Sequence, residues 1–315
     1  MPLITGRNRV LEVLAATAAR RWVLPAFNTE NLTTTEAVLA AACERARILG
    51  FPKVPIMIGI TNNYSHRPQT KHYTQTGNWE VGLRLFLADL HVLCAPPSPY
   101  AQLEVLVHLD HIQWDTDAEL LAGNLAQFSS IMFDASSLPM EENIRRTAAF
   151  VAQAAGTLLI EGACDAISEA GQSANRSALT DPGTAEDYWR STGVDLLVAN
   201  LGTEHRATLA TVAYHGETAR AITARIGPRL CLHGSSSVAR GDLGKLFDDG
   251  VRRVNLWTAL ERDSTPVLLE AMQAHADELA GPKASLKYFS TTWRQEIVFA
   301  EMKRIVRQYL DIWYA

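Results

Sequence analysis

Nine histidines occur in this chain, and three stretches place them where chemistry is feasible. His205 and His233 each close a short apolar run, DLLVANLGTEH at 195–205 and RLCLHG at 229–234. A third run, LEVLVHLDH at 103–111, ends in His108-Leu109-Asp110-His111. An apolar run ending in a metal-ligand residue reads as a buried strand delivering a side chain to one rim of a sheet. Histidines on three such rims look like a divalent-metal site built from residues far apart in sequence. Neutral imidazole is a common Zn²⁺ ligand, and three protein ligands leave a position open for substrate. One His at a strand end is more often a hydrogen-bonded rim residue; three of them flanking Asp110 reverse those odds.

The elements that must position these residues follow from the period of the apolar positions. Candidate strands are 23–28, 54–60, 103–108, 129–134, 157–162, 194–200, 229–233 and 251–256. Between them the pattern predicts helices near 33–48, 79–94, 117–126, 141–154, 183–191, 217–226, 240–248 and 258–279. Thr33 to Glu36 resembles a capping box, and Asp181-Pro182 supplies a cap with proline at the first helical position. Eight strand–helix units without a long interruption imply a closed parallel (β/α)8 TIM barrel. An open doubly wound sheet would carry a glycine-rich phosphate fingerprint after its first strand, where this chain has Asn28-Thr29-Glu30-Asn31. Polar residues gather at the strand C-termini, the rim where barrels build their sites: Asn28, Asp110, His111, Asp134, Glu161, Asn200, His205, His233 and Asn255. The expected organisation is a catalytic barrel over 1–280 and a C-terminal helical extension over 281–315, packed on the barrel or on a neighbouring subunit. A polar loop at 61–78, with Tyr64, His66, Arg67 and Lys71, should hang over the active rim.

Composition narrows the class further. The 315 residues are 47% apolar and 20% charged, those of a soluble globular chain. A net charge of −5 with scattered Lys and Arg offers no basic patch for nucleic acid. No apolar run reaches the roughly 18 residues of a membrane span, and no signal-peptide core opens the chain. Cys43, Cys94, Cys164 and Cys231 lie in apolar segments without pairing motifs, so a cytoplasmic protein with reduced thiols is expected.

From about Leu24 to Leu260 the chain resembles the class II, metal-dependent fructose-bisphosphate and tagatose-bisphosphate aldolases. The resemblance rests on AFNTENL (26–32), HLDHI (108–112), SSIMFDASSLPMEENI (129–144) and TDPGTAEDYWRSTGVDLL (180–197). It continues through NLGTEH (200–205), LHGSSSV (232–238) and VNLWTAL (254–260). It implies His111, His205 and His233 as ligands of Zn²⁺, with Co²⁺, Mn²⁺ or Fe²⁺ as alternatives for the same donors. It also implies Asp110 as the carboxylate exchanging a proton with the hydroxyl at the cleaved carbon, and a homodimer or homotetramer. Gly234, Ser235, Ser236, Asn255 and Thr258 match positions that hold the phosphate of the ketone fragment, and Asn28 lies on the same rim. Asp134 and Glu161 are candidates for orienting the ligands or substrate, and a purely structural hydrogen bond is an equal reading for Asp134.

Several positions depart from the family pattern. The glycine after the GTxH histidine is Arg206, and the lysine three residues later is Leu209. Arg206 either restores the missing charge or is a solvated loop residue. Trp257 and Ala259 replace polar residues around Thr258. In the paired-carboxylate motif the first acid is Glu161 and the second is Ala163; Glu169 is the candidate for the loop acid that exchanges the proton at the ketone carbon. Arg294 lies near, but out of register with, an arginine that in relatives reaches a neighbouring subunit. These changes point to an aldehyde-lyase acting on a sugar phosphate, with a dihydroxyacetone-phosphate-like ketone fragment and an atypical aldehyde partner. The alternatives are a metal-dependent epimerase or lyase on the same fold, and a catalytically impaired homologue that binds sugar phosphate.

Overall fold

The computed structural model describes residues 3–154, 156–166, 178–205, 213–281 and 283–315, together with the backbone of 168–169. The candidate Arg206 and the position of Leu209 lie outside the described residues, as does the side chain of Glu169.

Eight parallel strands close into a barrel: β1 (Leu24–Asn28), β2 (Pro55–Thr61), β3 (Glu104–Gln113), β4 (Ser130–Asp134), β5 (Leu159–Ala163), β6 (Leu196–Val198), β7 (Leu230–Leu232) and β8 (Val251–Leu256). Each pairs with its neighbours in chain order, and β8 pairs with β1 to close the ring. The (β/α)8 barrel read from the sequence is therefore the fold. Strand side chains alternate with period two, which splits the core into two clusters. Val105, Val107 and Leu109 of β3, with Ile56, Ile58 and Ile60 of β2, pack outward against the helices. Leu24, Ala26, Met57, Leu106, Met132, Leu159, Leu196 and Cys231 pack together inside the ring. Both faces of every strand are buried, so the strands read as continuous apolar runs.

Helix α1 (Arg7–Ala19) was not anticipated from the sequence. Its Val10 and Val13 join the interior cluster, so α1 plugs the barrel. Its N-cap is Gly6, which makes no side-chain cap bond, and no acid stands in its first turn, so it lacks a start signal. The next long helices are α2 (Leu32–Leu49), α3 (Trp79–Leu93), α4 (Met140–Gln153), α5 (Pro182–Thr192), α6 (Gly216–Ile226), α7 (Thr258–Ala274) and α8 (Thr291–Trp313). The cap of α2 corrects the expectation of Thr33 to Glu36. Asn31 accepts from the Thr34 amide at 3.1 Å while the Thr34 hydroxyl accepts from the Asn31 amide at 3.1 Å. Asp181 caps α5 as read, accepting from the Gly183 and Thr184 amides at 2.9 Å each. The helices expected at 117–126 and 240–248 are shorter, Ala118–Leu121 and Arg240–Leu243, each followed within two residues by a glycine.

Helix α8 lies along α2. Lys303 and Arg307 reach Glu44 at 2.8 and 2.6 Å, and Arg45 donates to Asp311 at 2.9 Å. Beyond it, Tyr314 is fully buried, stacks on Trp22 and donates its hydroxyl to the Pro55 carbonyl at 2.7 Å. No helix among the described residues is long and apolar enough to cross a membrane.

Candidate active site

The C-terminal ends of the strands surround a cavity that opens to solvent. Asn28, Asp110, His111, His205, His233, Gly234, Ser235, Ser236, Asn255 and Thr258 all line it, joined by Tyr64, His66, Arg67, Leu256 and Trp257. Asp110 and His111 are adjacent in sequence, and an ideal strand would point them to opposite faces. A bulge resolves this. The β3–β4 register shifts between Leu109 and Ile112, and His111 takes a left-handed φ of 50°. The extra residue turns both side chains onto the same rim, at a backbone conformation costly for a side chain larger than glycine.

Three imidazoles converge there. Their available ring nitrogens all lie within 4.8 Å of one another. His111 Nδ1 bonds Asp134 at 2.9 Å, which fixes that nitrogen as the donor and leaves Nε2 facing His233 Nδ1 at 3.2 Å. Tyr64 stacks on the His111 ring at 4.5 Å. His205 stands apart from its strand: β6 stops at Val198, and His205 sits in a two-residue strand, Glu204–His205, paired with Ser168–Glu169. Register thus sets the backbone of Glu169 opposite His205. His205 Nε2 is buried without a hydrogen-bond partner.

Burial pushes His205 well below its ordinary pKa, helped by His111, His233 and Arg67. Burial also brings His233 down to about 4, with a Glu161 hydrogen bond opposing it. Both rings are therefore neutral at neutral pH, the form that ligates metal. For His111 burial acts downward, but Asp110 and Asp134 outweigh it and raise its pKa, making it the more basic donor. A buried orphan nitrogen, two lone pairs facing each other and a carboxylate behind one ring fit a divalent cation. A second grouping, Glu161, Cys231 and His233, is also close enough. It fits a cation less well, since burial holds the Cys231 thiol protonated and Arg253 already pairs with Glu161.

Asp110 is held from three sides. Asn255 donates to Oδ1 at 2.6 Å; Asn28 and Arg67 donate to Oδ2 at 2.7 and 2.9 Å. Burial would raise its pKa, but His111, His108, His233 and Arg67 together hold it well below the usual carboxylate range. Gly59 makes room for Asn28: a Cβ there would sit 2.1 Å from Asn28 Oδ1. Ser235 spends its hydroxyl on the Asn255 carbonyl, tying the turn after β7 to the end of β8.

Below the cavity lies a buried polar layer in which His108 and Glu161 act as supports, as the sequence suggested, and in which Arg253 was not anticipated. Arg253, fully buried, pairs with Glu161 and approaches His108 Nε2 at 3.1 Å, while His108 Nδ1 meets Ser130 at 2.8 Å. Glu161 is carried down to about 2 against its burial by Arg253 and His108. The alternation that points Asn255 inward also points Arg253 inward, so the residue two before Asn255 was the available signal. His66 lines the cavity with Tyr64 and Arg67 from the loop after β2, the loop expected over the active rim. Trp257 also lines it, anchored by Nε1 to Glu30 at 2.6 Å.

This barrel with a histidine-rich rim matches the class II fructose-bisphosphate aldolases over residues 8–314, and the chain belongs to that family. It is 27% identical over 270 residues to the D-tagatose-1,6-bisphosphate aldolase subunit GatY of Klebsiella oxytoca, covering 83% of each chain. It is 25% identical over 282 residues to a Bacillus subtilis (strain 168) protein described as a probable fructose-bisphosphate aldolase, covering 88% of this chain and 89% of that one. Among solved structures, the fructose-bisphosphate aldolase of Campylobacter jejuni superposes with a TM-score of 0.77 at 17% identity, over 99% of this chain and 95% of that one. That last likeness speaks for the fold alone.

Proposed function

We propose that this protein is a metal-dependent aldolase that cleaves or forms a ketose phosphate, with a dihydroxyacetone-phosphate-like ketone fragment and an atypical aldehyde partner. The observation that carries the reading is the convergence of His111, His205 and His233 beside an ionised, triply held Asp110. His111, His205 and His233 would hold the cation, with Zn²⁺ favoured by three imidazoles. When bound, a divalent cation supplies the Lewis acidity that stabilises the enediolate charge left by carbon–carbon cleavage.

The rest is done by the chain. Asp110 accepts the proton of the hydroxyl on the carbon that departs as aldehyde, and returns it in the synthetic direction. Asn28 and Asn255 each hold one of its oxygens, so the carboxylate is oriented before substrate arrives. Asp134 fixes the tautomer of His111. Gly234, Ser236 and Thr258 line the side assigned to the ketone phosphate, and Glu169 is assigned the proton exchange at the ketone carbon. Leu209, Ala163 and Trp257, standing where the family carries polar or charged groups, support a changed aldehyde partner. The four buried free cysteines support a cytoplasmic setting.

The test combines metal content with the Asp110→Asn variant. Purified protein should hold about one divalent ion per chain; a chelator should abolish cleavage and added Zn²⁺ should restore it. Asp110→Asn should keep the metal and lose roughly 10²- to 10⁴-fold in turnover, the usual weight of a general base. Full activity in that variant, or a protein that never takes up metal, would end this reading.

A further inference from the structure

The cavity is lined by two sets of loops. Gly234, Ser235, Ser236, Trp257 and Thr258 come from those after β7 and β8, and Tyr64, His66 and Arg67 from that after β2. Asp110 touches both, through Asn255 and through Arg67. Among the described residues lining the cavity, Arg67 is the one arginine or lysine.

Arg67 is held with unusual care for a loop residue. Its side chain is 11% exposed and donates to Asp110 Oδ2 at 2.9 Å. Its guanidinium carbon lies 4.6 Å from the Trp257 ring centroid, a stacking platform that fixes the plane of the fork. Trp257 is itself fixed by Glu30, and Glu30 also accepts from Gln69 of the same loop at 2.8 Å. Arg67 Nε is nonetheless buried without a hydrogen-bond partner. A group serving only to pair with Asp110 has no use for a plane pre-set by Trp257 at the wall of the cavity. A buried N–H left open is satisfied by an acceptor brought by a ligand, and the best acceptor for a guanidinium is an anion.

We propose that Arg67 is the receptor for an anionic group, carboxylate or phosphate, on the aldehyde fragment. This rests on the aldolase reading above. Asp110 works on the hydroxyl of the aldehyde-derived carbon, so a group bonded to Asp110 Oδ2 stands beside that fragment and away from the ketone phosphate. Arg67 also screens an incoming anion from the charge of Asp110, which would otherwise repel it. The acceptor is then an acidic or phosphorylated aldehyde, and neutral aldehydes are poor substrates.

The test runs synthesis from dihydroxyacetone phosphate with three acceptors: D-glyceraldehyde 3-phosphate, tartronate semialdehyde and neutral D-glyceraldehyde. The quantity read is the ratio of kcat/KM for the better anionic acceptor to that for the neutral one. A ratio cancels losses that Arg67 variants suffer through Asp110. The metal-loaded wild type should show a ratio of about 10 or more, the worth of one charge-assisted hydrogen bond. Arg67→Gln should bring it near one, mainly through the KM of the anionic acceptor, and Arg67→Lys should give an intermediate value. The faster anionic acceptor tells carboxylate from phosphate. A wild-type ratio near one, or a ratio that Arg67→Gln leaves unchanged, overturns the proposal. If Arg67→Gln fails to fold or to hold metal, Arg67→Lys decides, and a ratio equal to wild type there counts against the fork geometry claimed. Proton exchange between dihydroxyacetone phosphate and deuterated water, followed without any aldehyde, separates the two readings. Exchange with a flat ratio removes only the role of Arg67; absence of exchange removes the aldolase reading and this inference with it.

Discussion

Glu261, on the first turn of α7, is half-buried, and its Oε1 has no hydrogen-bond partner. Burial and then the charge of Glu30 push its pKa up to about 7, against the opposing charge of Arg67. It is a residue whose protonation is linked to folding. Below its ordinary value of 4.5 the carboxyl is neutral in both folded and unfolded chains, and its contribution to stability is fully present. Between 4.5 and about 7 the unfolded chain ionises while the folded one still holds the proton, so that contribution is lost as pH rises. Glu261→Gln keeps the neutral form at every pH. The variant should match wild type near pH 4.5 and be more stable at pH 8 by about 2 kcal/mol, discounted from the full shift for partial exposure. Paired urea titrations across that range measure the gap, and a gap that does not widen with pH would show that Glu261 is not the linked group. Nothing in the local sequence marks Glu261 for this role. Its environment is made by Glu30 after β1 and Arg67 after β2, more than a hundred residues away along the chain. Arg253 was harder to read than its register with Asn255 allows, because one of two adjacent arginines in a strand reads as solvated until its partner Glu161, on another strand, is known.

At the scale of elements, the strands were legible because both of their faces are buried, which leaves runs of Val, Ile and Leu bounded by turns. All eight lie within a few residues of the expected positions, although β3 extends to Gln113 and β6 shrinks to Leu196–Val198. The bulge at His111 was not legible. Period two predicts that Asp110 and His111 diverge, and only the register against β4 shows the extra residue that brings them together. The start of α5 was legible from Asp181, the cap of α2 fell at Asn31 instead of the expected Thr33, and α1, which begins at Gly6 without a side-chain cap, gave no start signal. The cap of α2 bears on the site, because Asn31 fixes the chain just beyond Asn28 and Glu30. Asn31→Ala removes the side-chain half of the capping box and leaves the bond from the Asn31 amide to Thr34 intact. It should cost about 1 kcal/mol in a denaturant titration, with an unchanged m value. A loss under about 0.3 kcal/mol, the figure expected when a cap residue is only a weak contributor, would mean that the tertiary packing of α2 makes its cap redundant.

For the whole molecule, the arrangement separates stability from chemistry. Helix α1 fills the barrel interior with Val10 and Val13, α8 and the Tyr314 carbonyl hold α2 from outside through Glu44 and Arg45, and the strand C-termini are left free to build the site. The C-terminal segment has one feature that a single chain does not account for. Leu269 and Met272 on α7, and Leu286 and Phe289 on the stretch that joins α7 to α8, are 55%, 37%, 73% and 46% exposed. In the same part of the chain His275, Tyr288 and Trp293 form one aromatic group, with His275 stacked on Tyr288 at 4.0 Å. Apolar side chains gathered on a surface mark a contact between chains more often than they occur by chance. The homodimer or homotetramer implied by the family resemblance is an expectation, and the prediction is that it would use this face. Sedimentation velocity of the wild type should give a species of two or four chains. The double variant Leu286→Asp, Phe289→Asp should sediment as a monomer with unchanged circular dichroism, because it places charges at exposed positions that bear no load within one chain. A wild type that sediments as a single chain, or a double variant that remains assembled, would move the contact elsewhere or remove it.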